Sequence, residues 1–291
     1  MIPSMLPSRT FAMLAAVLSM SVLSVHAQAP TDSVKFGWKR QCNAMLNLSQ
    51  AYYDKWSKGG TDALSYEWNV SGSSVLDREK DQWDTKAKAV YGRNKIGSLA
   101  SRKSSDEFDL ESIYTYKLAT MVDPYASLAA QTQFMPGYKY PGDTSRVQIS
   151  DSFDPTYFIE TVGVGITPYP GLKERLGATM KQTLSSVTYA FADDKETAGE
   201  LEDFKQEYGL TSITEYEAQL MENIKGTTRF EVFVNFKGID EVDRRWTNQI
   251  TAKVNSLINV NFEYELLYDA DLIEDTQTRE VLSVGISLLK L

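Results

Sequence analysis

Asp109 and Glu111 are the side chains in this sequence best spaced for chemistry, because a single residue separates them. In an extended chain, residues i and i+2 share a face and stand roughly 6.5–7 Å apart by rise. That is close to the carboxyl separations with which glycosidases work. A general acid needs a raised pKa, however, and the neighbouring Lys86 and Lys88 would favour the ionised form of both carboxyls. The wider set Glu67, Lys86, Lys88, Glu107, Asp109, Glu111 and Lys117 therefore reads as electrostatic rather than catalytic. It fits a lumen lining that selects ions or small polar solutes, or a charge-paired ladder that fills a narrow interior. The matching of lysine with acid favours the ladder.

Other chemistry is excluded by residue type. The sole histidine, His26, lies in a stretch expected to be removed on export. Histidine triads, histidine general bases and histidine-ligated zinc are then out of reach. The one cysteine, Cys42, forms no internal disulfide and has no histidine to activate it. The segment Ala190–Leu210 carries Asp193, Asp194, Glu196, Glu200, Glu202, Asp203 and Glu207 against Lys195 and Lys205. It lacks the ordered, glycine-containing spacing of a calcium loop and reads as a solvated acidic loop. A net charge of −9 argues against a nucleic-acid partner. No cofactor and no metal are expected.

The elements that would position the charged set follow from the period of the chain, which is two. Leu64, Tyr66, Trp68 and Val70 alternate with Ser65, Glu67, Asn69 and Ser71. Trp83, Thr85, Ala87, Ala89 and Tyr91 alternate with Asp84, Lys86 and Lys88, and Phe108, Leu110, Tyr114, Tyr116 and Leu118 alternate with Glu107, Asp109, Glu111, Thr115 and Lys117. The same pattern returns at Phe230–Phe236, Val260–Tyr268 and Leu282–Leu288. It predicts about 12 strands of roughly 10 to 15 residues, an even number within the range of membrane barrels. Their centres fall near Leu48, Trp68, Ala87, Ser112, Ala130, Val162, Ala178, Ala218, Val234, Ala252, Tyr264 and Gly285. Two strands are irregular: Glu160 interrupts the apolar face around Val162, and Glu174 and Gln182 interrupt it around Ala178. A bulge or an offset register would explain either.

Folding the third strand onto the fourth about the middle of Gly92–Ser105 sets Lys88 opposite Asp109 and Lys86 opposite Glu111. It also sets Trp83 opposite Tyr114 and Ala89 opposite Phe108. Both faces match at once, and such pairs contribute roughly 0.2–1 kcal/mol each. After the first strand the linkers alternate in length. Asp54–Thr61, Gly92–Ser105, Pro136–Pro155, Ala190–Leu210, Gly238–Asp243 and Asp269–Thr278 read as long. Asp77–Asp81, Ala119–Asp123, Pro168–Gly171, Lys225–Gly226 and Ser256–Asn259 read as short. Longer extracellular loops and short periplasmic turns are the habit of outer-membrane barrels.

The address agrees with this architecture. Arg9, the apolar run Phe11–Val25 and the small-x-small site Val25-His26-Ala27 predict a signal peptide over 1–27. A short polar lead, 28–35, and a single barrel domain, 36–291, follow. Beyond the leader nothing approaches the roughly 20 apolar residues of a membrane helix. Trp83, Tyr114, Tyr116, Trp246, Tyr264 and Tyr268 read as interfacial belts rather than ligand platforms. Trp56-x-x-Gly59-Gly60 reads as a tight loop with positive φ.

Specific stretches resemble a known family. These are Trp56-Ser57-Lys58-Gly59-Gly60, Arg102-Lys103-Ser104-Ser105-Asp106 and Gln131 through Tyr138, then Asp154-Pro155-Thr156-Tyr157 with Gly163-Val164-Gly165. In this order they resemble a domain-of-unknown-function family of exported, outer-membrane barrel-like proteins common in Bacteroidota-type bacteria. The resemblance extends over most of Phe36–Leu291. It implies an outer-membrane fold and brings no activity, ligand or catalytic residue. One departure is the C-terminus: such barrels commonly end in an aromatic residue, and this chain ends in Leu291.

The expectation is an all-β, antiparallel, up-and-down transmembrane barrel in the outer membrane. It would serve in porin-like passage of small polar solutes or in a structural envelope role, without catalysis. Its partners would be outer-membrane lipids and small polar solutes, with no nucleic acid; the sequence names no envelope-protein partner. The competing expectation is a secreted soluble β-protein that binds an apolar ligand, since apolar-in, polar-out strands alternate equally well.

Overall fold

Period-two alternation closes on itself in the computed structural model, which describes residues 36–54, 57–118, 121–142, 145–187, 191–193, 197, 201–238, 242–269 and 273–290. The expected signal peptide and polar lead, Trp56, Leu291 and Asp194, Lys195, Glu196 and Glu200 of the acidic segment lie outside the described residues. The strands are β1 (Gly37–Ala51), β2 (Ala63–Asp77), β3 (Asp81–Ile96), β4 (Arg102–Tyr116), β5 (Val122–Thr132), β6 (Gly137–Lys139), β7 (Val147–Ser150), β8 (Thr156–Tyr169), β9 (Leu172–Leu184), β10 (Phe204–Met221), β11 (Ile224–Asn235), β12 (Val242–Lys253), β13 (Ile258–Asp269) and β14 (Ile273–Lys290). Twelve of them form one closed barrel in the order β1-β14-β13-β12-β11-β10-β9-β8-β5-β4-β3-β2, while β6 and β7 pair separately. Every neighbouring pair is antiparallel, and β1 meets β14 from Asn43–Lys290 to Asn47–Gly285. All twelve expected strand centres fall inside barrel strands.

The β3–β4 ladder has the expected register: Lys88 faces Asp109, Lys86 faces Glu111, Trp83 faces Tyr114 and Ala89 faces Phe108. A one-residue slip would exchange the two faces of the strand, so this match fixes which side chains share a face.

Outward and inward faces are the reverse of those of a water-soluble protein. Leu110, Leu128, Val162, Leu176, Phe230, Ile250, Leu282 and Val284 are exposed on the outside. Arg175, Thr183, Glu207 and Asn235 are buried within. Water would leave those apolar residues uncovered and hydrocarbon solvates them, while closure pairs the strand edges that lipid cannot. The barrel is transmembrane. Among the described residues no helix is long and apolar enough to cross a membrane, so the strands do the crossing.

Several expectations need correcting. The acidic segment Ala190–Leu210 is not a loop to its end: residues 204–210 belong to strand β10, and Glu207 there is buried rather than solvated. The linkers Gly92–Ser105 and Asp269–Thr278 are mostly strand: β3 and β4 run on to Ile96 and from Arg102, and β13 and β14 to Asp269 and from Ile273. Cross-strand pairing carries on through polar residues that pattern alone assigns to loops, so the inequality of the two ends is less regular than the linkers suggest. Likewise Lys225 and Gly226 are paired in β11 rather than in a turn. The irregular strands β8 and β9 keep one register from Thr156–Leu184 to Ile166–Glu174, with no bulge in that span. Their polar residues instead take cross-strand partners in place: Ser212 Oγ donates to Glu174 Oε1 at 2.7 Å, Thr214 Oγ1 donates to Glu174 Oε2, and Gln182 Nε2 donates to Glu160 Oε1 at 3.5 Å, while Glu160 Oε2 is buried without a partner among the described residues.

Candidate functional site: the charged lumen

Strand β4 presents Glu107, Asp109 and Glu111 to the lumen at successive i, i+2 positions, and β3 presents Lys86 and Lys88 opposite them. Lys88 Nζ reaches Glu107 Oε2 at 3.2 Å, diagonally, rather than Asp109 directly across. Lys86 lies 3.7 Å from Asp84 on its own strand. The ladder of lysines and acids is therefore present as a register, with its ion pairs displaced by one step.

The remaining partners of the β4 acids come from the far wall. Arg175 on β9 donates to Glu111 Oε1 at 3.1 Å and to Glu215 Oε2 at 3.2 Å. Arg229 on β11 lies 3.5 Å from the same Glu111 oxygen, and donates to Glu215 Oε1 at 2.7 Å and Glu231 Oε2 at 3.1 Å. Glu107 is approached by Arg245 of β12 at 3.6 Å and Arg279 of β14 at 3.9 Å. Both arginines also bind Glu265, at 2.6 and 3.0 Å, and Arg279 pairs with Glu263. Acids from one strand thus span the lumen to arginines of four others.

A second crossing lies among strands β9 to β12. Lys181 on β9 pairs with Asp243 on β12 at 2.8 Å, passing over β10 and β11, and with Glu207 at 3.5 Å. Asn235 Nδ2 donates to Glu207 Oε1 at 3.1 Å, and Glu207 is only 4% exposed. Such buried charges persist only when each is paired and hydrogen-bonded.

Between these bars and the short turns lies a cavity of about 1310 Å³. Its wall includes Lys86, Lys88, Glu107, Asp109, Glu111, Arg229 and Arg245, and it reaches Gly171 in the β8–β9 turn. The cavity is therefore a charge-lined vestibule that extends to the short-turn end, with the β4 acids and their arginines in its wall.

Of the residues singled out from sequence, Lys86, Lys88, Glu107, Asp109 and Glu111 come together here. Glu67 stands apart, beside a smaller pocket, held by Ser105 Oγ at 2.6 Å and Asn47 Nδ2 at 3.1 Å rather than by a lysine. Lys117 does not line the vestibule. It lies just past the end of β4 and belongs to the short-turn rim, where it pairs with Asp77 and donates to the Arg78 carbonyl at 2.6 Å. It keeps the inward parity of β4, and its N–H still donates to the Lys80 carbonyl across the β2–β3 turn at 2.8 Å. Arg175, Arg229, Arg245 and Arg279 were not singled out. Their signal was present: Arg229 precedes Glu231 by two residues, and Arg279 shares the inward parity of Val281 and Ser283.

Among the described residues no cluster of three or more histidine, cysteine or acidic side chains could hold a metal ion. A paired-carboxylate reaction is disfavoured by the geometry itself, because Glu111 Oε1 is already committed to two guanidinium groups.

Comparison with solved structures finds barrels of the outer membrane. The translocator domain of the autotransporter NalP from Neisseria meningitidis is 10% identical, with 95% of each chain covered and a TM-score of 0.40. An outer membrane channel from Pseudomonas putida F1 is 10% identical over 90% of this chain and 98% of its own, with a TM-score of 0.41. The NanC porin is 9% identical over 85% and 98%, also with a TM-score of 0.41. No curated protein matches the chain. Residues 48–138 match the model of a family described as "Protein of unknown function (DUF3078)", a shorter span than the one over which the sequence motifs are ordered.

Proposed function

We propose that the protein is an outer-membrane barrel whose polar lumen admits small polar solutes, and that it performs no catalysis. The observation that carries this reading is the vestibule of about 1310 Å³, walled by charged side chains inside a barrel whose outer face is apolar. Rings of fixed charge at close quarters select ions and polar solutes by field and by size. In this reading the short turns face the periplasm and the longer connections face outward, so solutes reach the vestibule from the periplasmic side. The soluble alternative, an apolar-ligand carrier, would need an apolar interior, and this lumen is ionic.

A structural envelope role is the second reading. It is favoured by the cross-lumen pairs of Glu107 and Glu111, which occupy the section that a solute would cross. Conductance of the purified, folded barrel in planar bilayers separates the two. Steady unitary currents support passage, and a silent barrel that is folded by heat-modifiability removes passage and leaves the structural role.

A further inference from the structure

The β4–β5 ladder stops at Phe108–Thr132, although β4 continues to Arg102 and its other neighbour, β3, runs to Ile96. Above Phe108 the wall would therefore lack a strand beside β4. The connection between β5 and β8, described over 133–142 and 145–155, occupies that place.

Hydrogen bonds fasten it there. Asp106, on the same face of β4 as Phe108 and Leu110, accepts the backbone N–H groups of Phe134 at 2.9 Å and Met135 at 2.8 Å. Its side chain is 1% exposed and pairs with Lys103 at 3.0 Å. Lys103 Nζ also donates to the Met135 carbonyl at 2.6 Å and to Gln133 Oε1 at 3.0 Å, and the Phe153 N–H donates to the Gln133 carbonyl at 2.8 Å. An acid on the outward face of the wall is thus covered and satisfied by the connection.

The outer side of this patch is apolar and continuous with the barrel exterior. The Phe134 ring packs edge-on against Phe108, with centroids 5.5 Å apart, and against Phe153 at 6.3 Å. Phe153 is 62% exposed and has φ 58°, the sole positive value at a non-glycine residue among the described residues. A bulky side chain is held in that sparsely populated region only where its surroundings impose it, and the result here is an aromatic ring turned outward. Met135, Val147 and Ile149 in the same connection are also exposed. Water is a poor solvent for such a row, and its continuity with Phe108 places it against the medium that bathes the barrel wall.

We infer that this connection is a lipid-facing part of the wall, and that Phe134, Met135 and Phe153 seat among the acyl chains of the outer leaflet. The inference rests on the membrane-barrel reading, and its test separates the two. The full chain carrying Cys42→Ala is refolded into phosphatidylcholine vesicles, with a nitroxide label placed at Phe153→Cys, Leu282→Cys or Ser98→Cys. Leu282 is the wall reference and Ser98, in the β3–β4 turn, is the aqueous one. Collision rates with oxygen and with a water-soluble nickel chelate are then compared. The inference expects Phe153→Cys to match Leu282→Cys, with an oxygen-to-nickel ratio several-fold above that of Ser98→Cys. A ratio matching Ser98→Cys, or a label shielded from both reagents, overturns it while the wall reference upholds the barrel. A Leu282→Cys label that prefers nickel would sink the membrane reading itself. Should Phe153→Cys fail to fold, Met135→Cys is read by the same criteria.

Discussion

Glu111 on β4 and Arg229 on β11 lie 3.5 Å apart, although four strands separate them around the wall. Arg229 does not depend on that contact, because Glu215 and Glu231 hold it from its own side of the barrel. The same holds for Arg175 with Glu215, and for Arg245 and Arg279 with Glu265. On the other side, Lys88 supports Glu107 from the adjacent strand. The bars can therefore be removed while each arginine keeps a carboxylate partner.

This arrangement makes a definite prediction for Glu107→Gln/Glu111→Gln. Unfolding in urea should show a loss of roughly 1–3 kcal/mol, the cost of leaving partly buried donors under-satisfied. Breaking a buried pair whose partner has no second counter-charge costs more, about 3–5 kcal/mol. Unitary conductance in planar bilayers should rise several-fold over the wild type. A larger stability loss with unchanged conductance would mean that the bars hold the wall together and do not limit passage.

The β3–β4 register predicts a crosslink. In a Cys42→Ala background, Lys88→Cys/Asp109→Cys should oxidise readily to an intramolecular disulfide, because directly opposed Cα atoms lie about 4.5–5.5 Å apart, inside the disulfide range. Lys88→Cys/Leu110→Cys should not, since Leu110 is on the opposite face. Mobility on denaturing gels with and without reductant reads the result, and the reverse pattern would place the strands out of register by one.

Leu110 is an outward residue between Ala87 and Ala130. Leu110→Arg puts a cation into hydrocarbon and should destabilise the folded barrel in vesicles by about 2–4 kcal/mol if its level is near the midplane. Asp109→Asn, one residue away but inward, should cost distinctly less. Equal costs would contradict the assignment of faces.

Much of the wall was legible in the sequence because each strand carries its own evidence. Alternation over Trp83–Tyr91 and Phe108–Leu118 assigns both faces, and the simultaneous match of charges and apolar residues fixes the register. The lumen was less legible. Glu111 and Arg229 are 118 positions apart, and no local pattern says which inward residues meet across a barrel whose curvature is set by all twelve strands. Lys117 keeps the parity that alternation assigns, but the length of β4 sets it at the short-turn rim and away from the vestibule wall. Glu160 and Glu174 break the apolar rule, and it takes cross-strand neighbours such as Gln182, Ser212 and Thr214 to accommodate them.

Asp154 supplies the last prediction, on pH. It lies at the end of the β5–β8 connection, and one carboxylate gathers the start of the β9–β10 connection. Ser185 Oγ donates to Oδ1 at 2.8 Å, while the Ser186 N–H, the Ser186 hydroxyl and the Val187 N–H donate to Oδ2 at 2.8, 2.9 and 2.9 Å. Burial pushes its pKa up, but these four donors outweigh it and hold the carboxyl below its ordinary value. A depressed folded-state pKa contributes stability that is complete above the unfolded value, about 3.9, and is lost as pH falls through the lower folded value. The two connections should thus stay fastened at neutral pH and loosen only in strong acid. Asp154→Asn should remove that acid dependence, because the amide bears no titratable charge and replaces one acceptor oxygen with a donor. Its expected local cost is roughly 1–3 kcal/mol, which is about ten- to a hundred-fold faster amide exchange at Ser186 and Val187. Hydrogen exchange of the wild type and the variant at neutral and acidic pH checks this. Unchanged protection at those two amides in Asp154→Asn would show that the connections are held together by other contacts.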